Sequence, residues 1–146
     1  MSAIQGKCHC GAVEYTAKLE DKSHILCHCD ACKRINGSDF TLNQVVSKDD
    51  LDIKKGDLTK YTYKGDSVVS FDIDLSKGNP VHCFFCPTCS THIYHHQTAM
   101  GDDKYIVRTT TLEGSKEWPA SLQIYCKDKA KWQPEVAAKI FQAGPA

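Results

Sequence analysis

The sequence has no surplus of charge: eighteen Lys and Arg stand against eighteen Asp and Glu, for a formal net charge of zero. Nucleic acids and anionic membranes are recognised through an excess of cations on one face, so neither partner is expected. Long apolar runs are missing too. Nothing approaches the roughly 18–20 consecutive apolar residues of a membrane span, and "MSAIQGKCHC" carries no apolar secretory segment. Repeats, low-complexity segments and Pro/Gly/Ser linkers are also lacking, so residues 1–146 are expected to form one domain. The chain reads as a soluble, cytoplasmic protein of ordinary globular composition.

Helical periodicity is scarce, and what is present is short period-2 runs. "AVEYTAK" alternates Val13, Tyr15 and Ala17 on one face, and "SVVSFDID" alternates Val69, Phe71 and Ile73 against Ser70, Asp72 and Asp74. "HILCHC", "DFTLNQVV", "LTKYTY", "THIYHH", "KYIVRTTTL" and "SLQIYC" are further candidates, with "YKGDS" at 63–67 a hairpin turn. This patterning predicts a mainly β protein of antiparallel sheets. Two short helices are expected. One covers "DACKRING", with Asp30 near its N-cap and Gly37 past its end. The other covers "PEVAAKIFQAG", with Pro134 in its first turn and Val136, Ala137, Ile140 and Phe141 at helical spacing. Trp118, Trp132 and Phe141 are expected in the core, as is the thiol of Cys126.

Nine cysteines remain to be explained. Disulfides are rare in reducing compartments, and an odd count would leave one thiol over, so the spacing points to metal. Cys8 and Cys10 form C-x-C, Cys27, Cys29 and Cys32 form C-x-C-x-x-C, and Cys83, Cys86 and Cys89 form C-x-x-C-x-x-C. Structural zinc takes four ligands, whereas catalytic zinc takes three from the protein and keeps a position open. Two cysteines cannot close a cage, so Cys8 and Cys10 need a partner pair. Cys86 and Cys89 suit best, because Pro87 pre-sets a knuckle-like turn. Cys27, Cys29 and Cys32 are then left with two options. Either Cys83 or His28 closes a second cage, or the fourth position is open to water or substrate.

Taken together, "GKCHCGAVEY", "CHCDACKRINGSDF" and "FFCPTCSTHIY" resemble the glutathione-dependent formaldehyde-activating enzyme family, which also includes centromere protein V. The resemblance implies a β-tent of antiparallel sheets with zinc-binding knuckles and a few short helices. It implies two Zn²⁺ ions per chain: a structural one on Cys8, Cys10, Cys86 and Cys89, and a catalytic one on Cys27, Cys29 and Cys32. The implied activity is that of a carbon–sulfur lyase, joining glutathione to a small electrophile such as formaldehyde or releasing it. Two features depart from the family pattern. Ser90 stands where the family has Gly after the last cysteine, at a cost of about 1 kcal/mol if φ there is positive. Cys83 is extra.

The substrate of such a site is glutathione, or another small thiol or electrophile. Glutathione carries two carboxylates, and Lys33, Arg34 and Arg108 are the candidate cations for them. His28, between two ligands, is expected to point away from the metal. His92, His95 and His96 are first of all strand residues, with proton transfer as their functional option. Two rival functions stay open: an enzyme of the same fold acting on another small metabolite, and a non-catalytic zinc scaffold that binds a protein partner.

Overall fold

The computed structural model describes residues 1–65, 68–69, 72–73 and 76–145. Among the described residues, thirteen strands and one α-helix follow in chain order: β1 Ala3–Lys7, β2 Glu14–Lys18, β3 His24–Cys27, α1 Asp30–Asn36, β4 Thr41–Ser47, β5 Leu51–Lys55, β6 Thr59–Lys64, β7 Val68–Val69, β8 Asp72–Ile73, β9 Pro80–Phe85, β10 His92–Gln97, β11 Lys104–Arg108, β12 Ala120–Ile124 and β13 Lys139–Ile140. Strands β1, β2 and β5 make a three-stranded antiparallel sheet. The main sheet has eight strands in the order β13-β12-β3-β4-β11-β10-β9-β6. The protein is therefore mainly β, as its period-2 patterning predicts.

Alternation fixes what each face of the main sheet does. Paired residues on neighbouring strands share a face, and adjacent residues on one strand take opposite faces. One face carries Val46 opposite Tyr105, and Val107 opposite Tyr94. It buries these against Ile4, Tyr15 and Ala17 of the smaller sheet and Val13 just before β2. Val13, Tyr15 and Ala17 do share the buried side that their spacing predicts. Within the smaller sheet, Gly6 on β1 lies directly opposite Tyr15 on β2, and an added Cβ there would lie 2.4 Å from the Tyr15 ring. The other face of the main sheet carries Cys27, Asn43, Arg108, His95 and Cys83, one after another across β3, β4, β11, β10 and β9.

Several expectations are corrected. The tail "PEVAAKIFQAG" is not a helix: it runs extended, and β13 pairs parallel with β12. The buried Gln123 side chain explains this. Its Oε1 accepts N–H groups from Val136 (3.0 Å) and Ala137 (3.4 Å), and its Nε2 donates to Pro134 O (3.2 Å). Those backbone groups are satisfied without helix formation. The sheet is not wholly antiparallel, because β12 also runs parallel to β3. The run expected as one strand over 67–74 folds back on itself: β7 pairs antiparallel with β8, while Ser67, Ser70, Phe71 and Asp74 lie outside the described residues. The Asp66–Ser67 end of the expected "YKGDS" turn lies outside them as well. Strand β11 ends at Arg108, and Thr109–Thr111 turn as a 3-10 helix closed by Leu112 N–H on Thr109 O at 3.1 Å. Trp118 packs at the core margin, but Trp132 is 70% exposed and does not belong to the core. Phe141 is half-buried. Strands β1, β5 and β9 lie outside the predicted runs.

Candidate functional site

Two cysteine groups converge. The sulfurs of Cys8, Cys10, Cys86 and Cys89 all lie within 4.8 Å of one another, as do those of Cys27, Cys29 and Cys32. Cys8 and Cys10 stand on the turn between β1 and β2, and Cys86 and Cys89 on the turn between β9 and β10. Backbone amides aim the sulfurs inward. Val13 N–H donates to Cys8 Sγ at 3.3 Å, and Thr88 N–H to Cys86 Sγ at 3.4 Å. The Thr91 hydroxyl lies 3.2 Å from Cys89 Sγ and accepts His9 N–H at 3.2 Å, tying the two turns together. That hydroxyl is the main cause that draws the Cys89 thiol down to about 5.

The spacing of the sulfurs suits a tetrahedral ion. Bonds of about 2.3 Å in a tetrahedron put sulfurs about 3.8 Å apart. Cys8 and Cys10 are separated by 3.6 Å, Cys10 and Cys86 by 3.8 Å, and Cys27 and Cys32 by 3.8 Å. A disulfide, by contrast, needs about 2.05 Å. Both groups could hold a metal ion, the first with four soft donors and the second with three. Ser90 has φ of 63°, so the strain expected from replacing glycine is present; its N–H still closes the turn on Cys86 O at 2.9 Å.

In the three-sulfur group, Cys27 ends β3, and Cys29 and Cys32 flank the start of α1. Asp30 is the first helical residue, next to the N-cap as expected; the cap itself is Cys29, whose sulfur accepts the Cys32 N–H at 3.3 Å. Gly37 ends the helix at φ 62°, as predicted. Hydrogen bonds from Cys27 and then Cys29, joined by the nearby Arg108 charge, hold Cys32 well below the usual thiol range, while Cys27 and Cys29 are pushed up. Neither Cys83 nor His28 joins the cluster, and among the described residues no fourth His, Cys, Asp or Glu does. Cys83 is buried one strand beyond His95. His28 points away, packing against Phe40, and its Nε2 accepts from Gln123 Nε2 at 2.9 Å.

A cleft of about 410 Å³ opens on this cluster, reaching Cys27, Cys29, Cys32, Tyr63, His95 and Lys127. Its walls include the apolar side chains of Ile25, Met100, Ile106 and Ile124. Burial, and then the charge of Cys32, keep the Tyr63 phenol protonated. The predicted substrate-binding cations do not line the cleft. Lys33 is engaged by Asp30 at 3.1 Å and by Asp128 O. Arg34 is exposed on α1. Arg108 is buried on β11, where its Nη1 donates to Asn43 Oδ1 and, at 3.1 Å, to His95 Nδ1. His92 lines a neighbouring depression with Arg108 and Trp132, and His96 is bonded to Gly101 O at 2.9 Å. Sequence reasoning missed Tyr63 and Lys127, which carry no local motif; only the cross-strand register brings Tyr63 to this face.

A family model described as glutathione-dependent formaldehyde-activating enzyme matches residues 3–128. The chain belongs to that family. Among solved structures, a structural-genomics target from Rhodobacter sphaeroides is similar in fold, with a TM-score of 0.56 and 25% identity over 75% of this chain and 88% of its own. No curated protein matches the sequence. The family is one of enzymes acting with glutathione and formaldehyde. Among the described residues, no helix is long and apolar enough to cross a membrane.

Proposed function

We propose that the protein is a zinc-dependent carbon–sulfur lyase-type enzyme that joins glutathione to formaldehyde, or releases it from the adduct, in the cytoplasm. The observation that carries the reading is the three-sulfur cluster, which faces a cleft and lacks a fourth ligand-type side chain among the described residues. Cys8, Cys10, Cys86 and Cys89 would hold a structural Zn²⁺, and Cys27, Cys29 and Cys32 a catalytic one. A zinc ion with an open position supplies Lewis acidity and favours a thiolate over a thiol at neutral pH.

The remaining work falls to the chain. In the addition, the glutathione sulfur gives an electron pair to the carbonyl carbon, and the C=O π pair moves to oxygen. The oxygen then takes up a proton equal to the one the thiol released, so the product is S-hydroxymethylglutathione with nothing left over. The cleft walls hold the two reactants together and limit water, which supplies the proximity effect. Of the candidate cations Lys33, Arg34, Arg108 and Lys127, it is Lys127 that lines the cleft and is best placed for a glutathione carboxylate. The apolar walls favour a second reading, in which the same step acts on a larger carbonyl compound.

The test mixes purified protein with formaldehyde and glutathione and follows exchange into the adduct by ¹³C NMR, alongside metal analysis. Acceleration over the spontaneous reaction, two zinc ions per chain and saturation by millimolar glutathione are expected. Failure of glutathione to bind at that concentration ends this reading.

A further inference from the structure

We infer that His95 is a catalytic residue: a neutral imidazole held with its proton on Nε2, which donates a hydrogen bond to the oxygen of the carbonyl substrate in the cleft. The inference rests on the functional reading above and assigns a role that reading leaves empty, since the three cysteines provide no donor for the oxygen.

The argument is a chain of donors and acceptors. Asn43 Nδ2 donates to the Ile25 carbonyl at 3.2 Å and to the Thr41 hydroxyl at 2.9 Å. A carbonyl oxygen can only accept, so the amide of Asn43 is oriented, and its Oδ1 is the atom turned to Arg108. A guanidinium has only donors, so the Arg108 Nη1 bond to His95 at 3.1 Å makes Nδ1 an acceptor. The proton of a neutral imidazole must then sit on Nε2.

The surroundings keep the ring neutral. His95 is 6% exposed, and burial followed by the Arg108 charge lowers its pKa to about 3. Arg108 has no carboxylate partner among the described residues, and its charge repels a second proton on His95 more strongly than the charge of Cys32 favours one. No hydrogen bond to Nε2 is seen from the described residues. His95 lines the cleft that also holds Cys27, Cys29 and Cys32. With Nδ1 taken by Arg108, Nε2 is the ring nitrogen left to meet a carbonyl held in that cleft. The site requires a donor that stays uncharged at neutral pH and cannot rotate away. The relay from Ile25 through Asn43 and Arg108 makes His95 such a donor, and a donor fixed in advance is what helps a developing oxyanion most.

The test has two arms on the zinc-loaded protein. In the first, long-range ¹H–¹⁵N correlation spectra at pH 7 report the tautomer of His95 in the wild type, whatever the activity. The Nε2–H form is expected; an Nδ1–H ring or a doubly protonated one overturns the inference. In the second, His95→Phe keeps a flat ring at this position and removes the donor. A fall in kcat of roughly 10²-fold is expected, with the glutathione KM within about twofold and two zinc ions retained. A wild type that makes no adduct removes the functional reading itself. An active wild type whose kcat is indifferent to His95→Phe removes only this inference.

Discussion

Replacing Cys83 by alanine separates a structural thiol from a ligand. Cys83 is 2% exposed on β9 and stands between Tyr61 and His95 on the cleft face, outside both sulfur clusters. Removing its sulfur leaves a void about the size of one heavy atom, worth about 1–2 kcal/mol on the scale of small core truncations. Native stability is typically about 5–15 kcal/mol, so the variant folds, with a melting temperature roughly 3–8 °C lower. Its metal content stays at two. Cys86→Ala behaves differently. Cys86 is fully buried, and its cluster bridges positions 76 residues apart. Structural zinc contributes about 10–16 kcal/mol in zinc-finger peptides, which rivals the whole stability, so this variant does not fold. Cys32→Ala loses one ion of the two and keeps the fold, because the core lies on the opposite face of the sheet. Metal analysis beside thermal melts reads all three variants. If Cys83→Ala loses one metal ion, Cys83 completes the second cage and the open-site mechanism fails.

Two further outcomes follow from buried polar groups. The His95 pKa is held at about 3 in the folded chain against an ordinary 6.5, so on acidification the unfolded chain binds a proton first. Stability is then lost as pH falls from about 6.5 towards 3, at up to about 1.4 kcal/mol per unit, or roughly 2 kcal/mol by pH 5. Urea melts at pH 7 and pH 5 should show His95→Gln losing less over that interval than wild type; equal losses refute the assignment. Gln123→Ala strips the partners from Val136 N–H, Ala137 N–H and Pro134 O. A cost of about 2–4 kcal/mol is expected, with faster hydrogen exchange at the Val136 and Ala137 amides. Unchanged protection there would show that the tail is held by other contacts.

The cysteine spacing made the four-sulfur cluster legible, because a Cys-Pro-x-Cys turn and a C-x-C turn each present two donors whatever lies between them. It left the second cluster ambiguous. Whether Cys83 or His28 closes it depends on strand register, and register is not local. The tail misled for a related reason. Val136, Ala137, Ile140 and Phe141 have helical spacing, but the deciding atom is Oε1 of Gln123, which lies on another strand. Lys33 and Arg34 drew attention by following a ligand in sequence, yet helix α1 turns them away from the cleft lining. Lys127 and Tyr63 reach that lining through the chain's path alone.

Register also couples the core to the chemistry. On β11, Val107 enters the core, while Ile106 and Arg108 on either side of it face the cleft side. On β10, Tyr94 packs at the core and His95 lines the cleft. A slip of one residue in either strand would send every one of these side chains to the opposite face. Burying Arg108 in the core without a carboxylate would cost several kcal/mol, and turning Val107 outward would forfeit about 1.5–3 kcal/mol of burial. The catalytic side thus penalises the same register error that the core penalises. One irregularity is present, a shift between His92 and Tyr94 where β10 leaves the four-sulfur turn. That turn sits at the end of β9 and β10 and is tied to the smaller sheet through Cys8 and Cys10. A metal ion held there would pin both strands beside the place where their pairing slips, and so would help to keep His95, rather than its neighbours, on the cleft face.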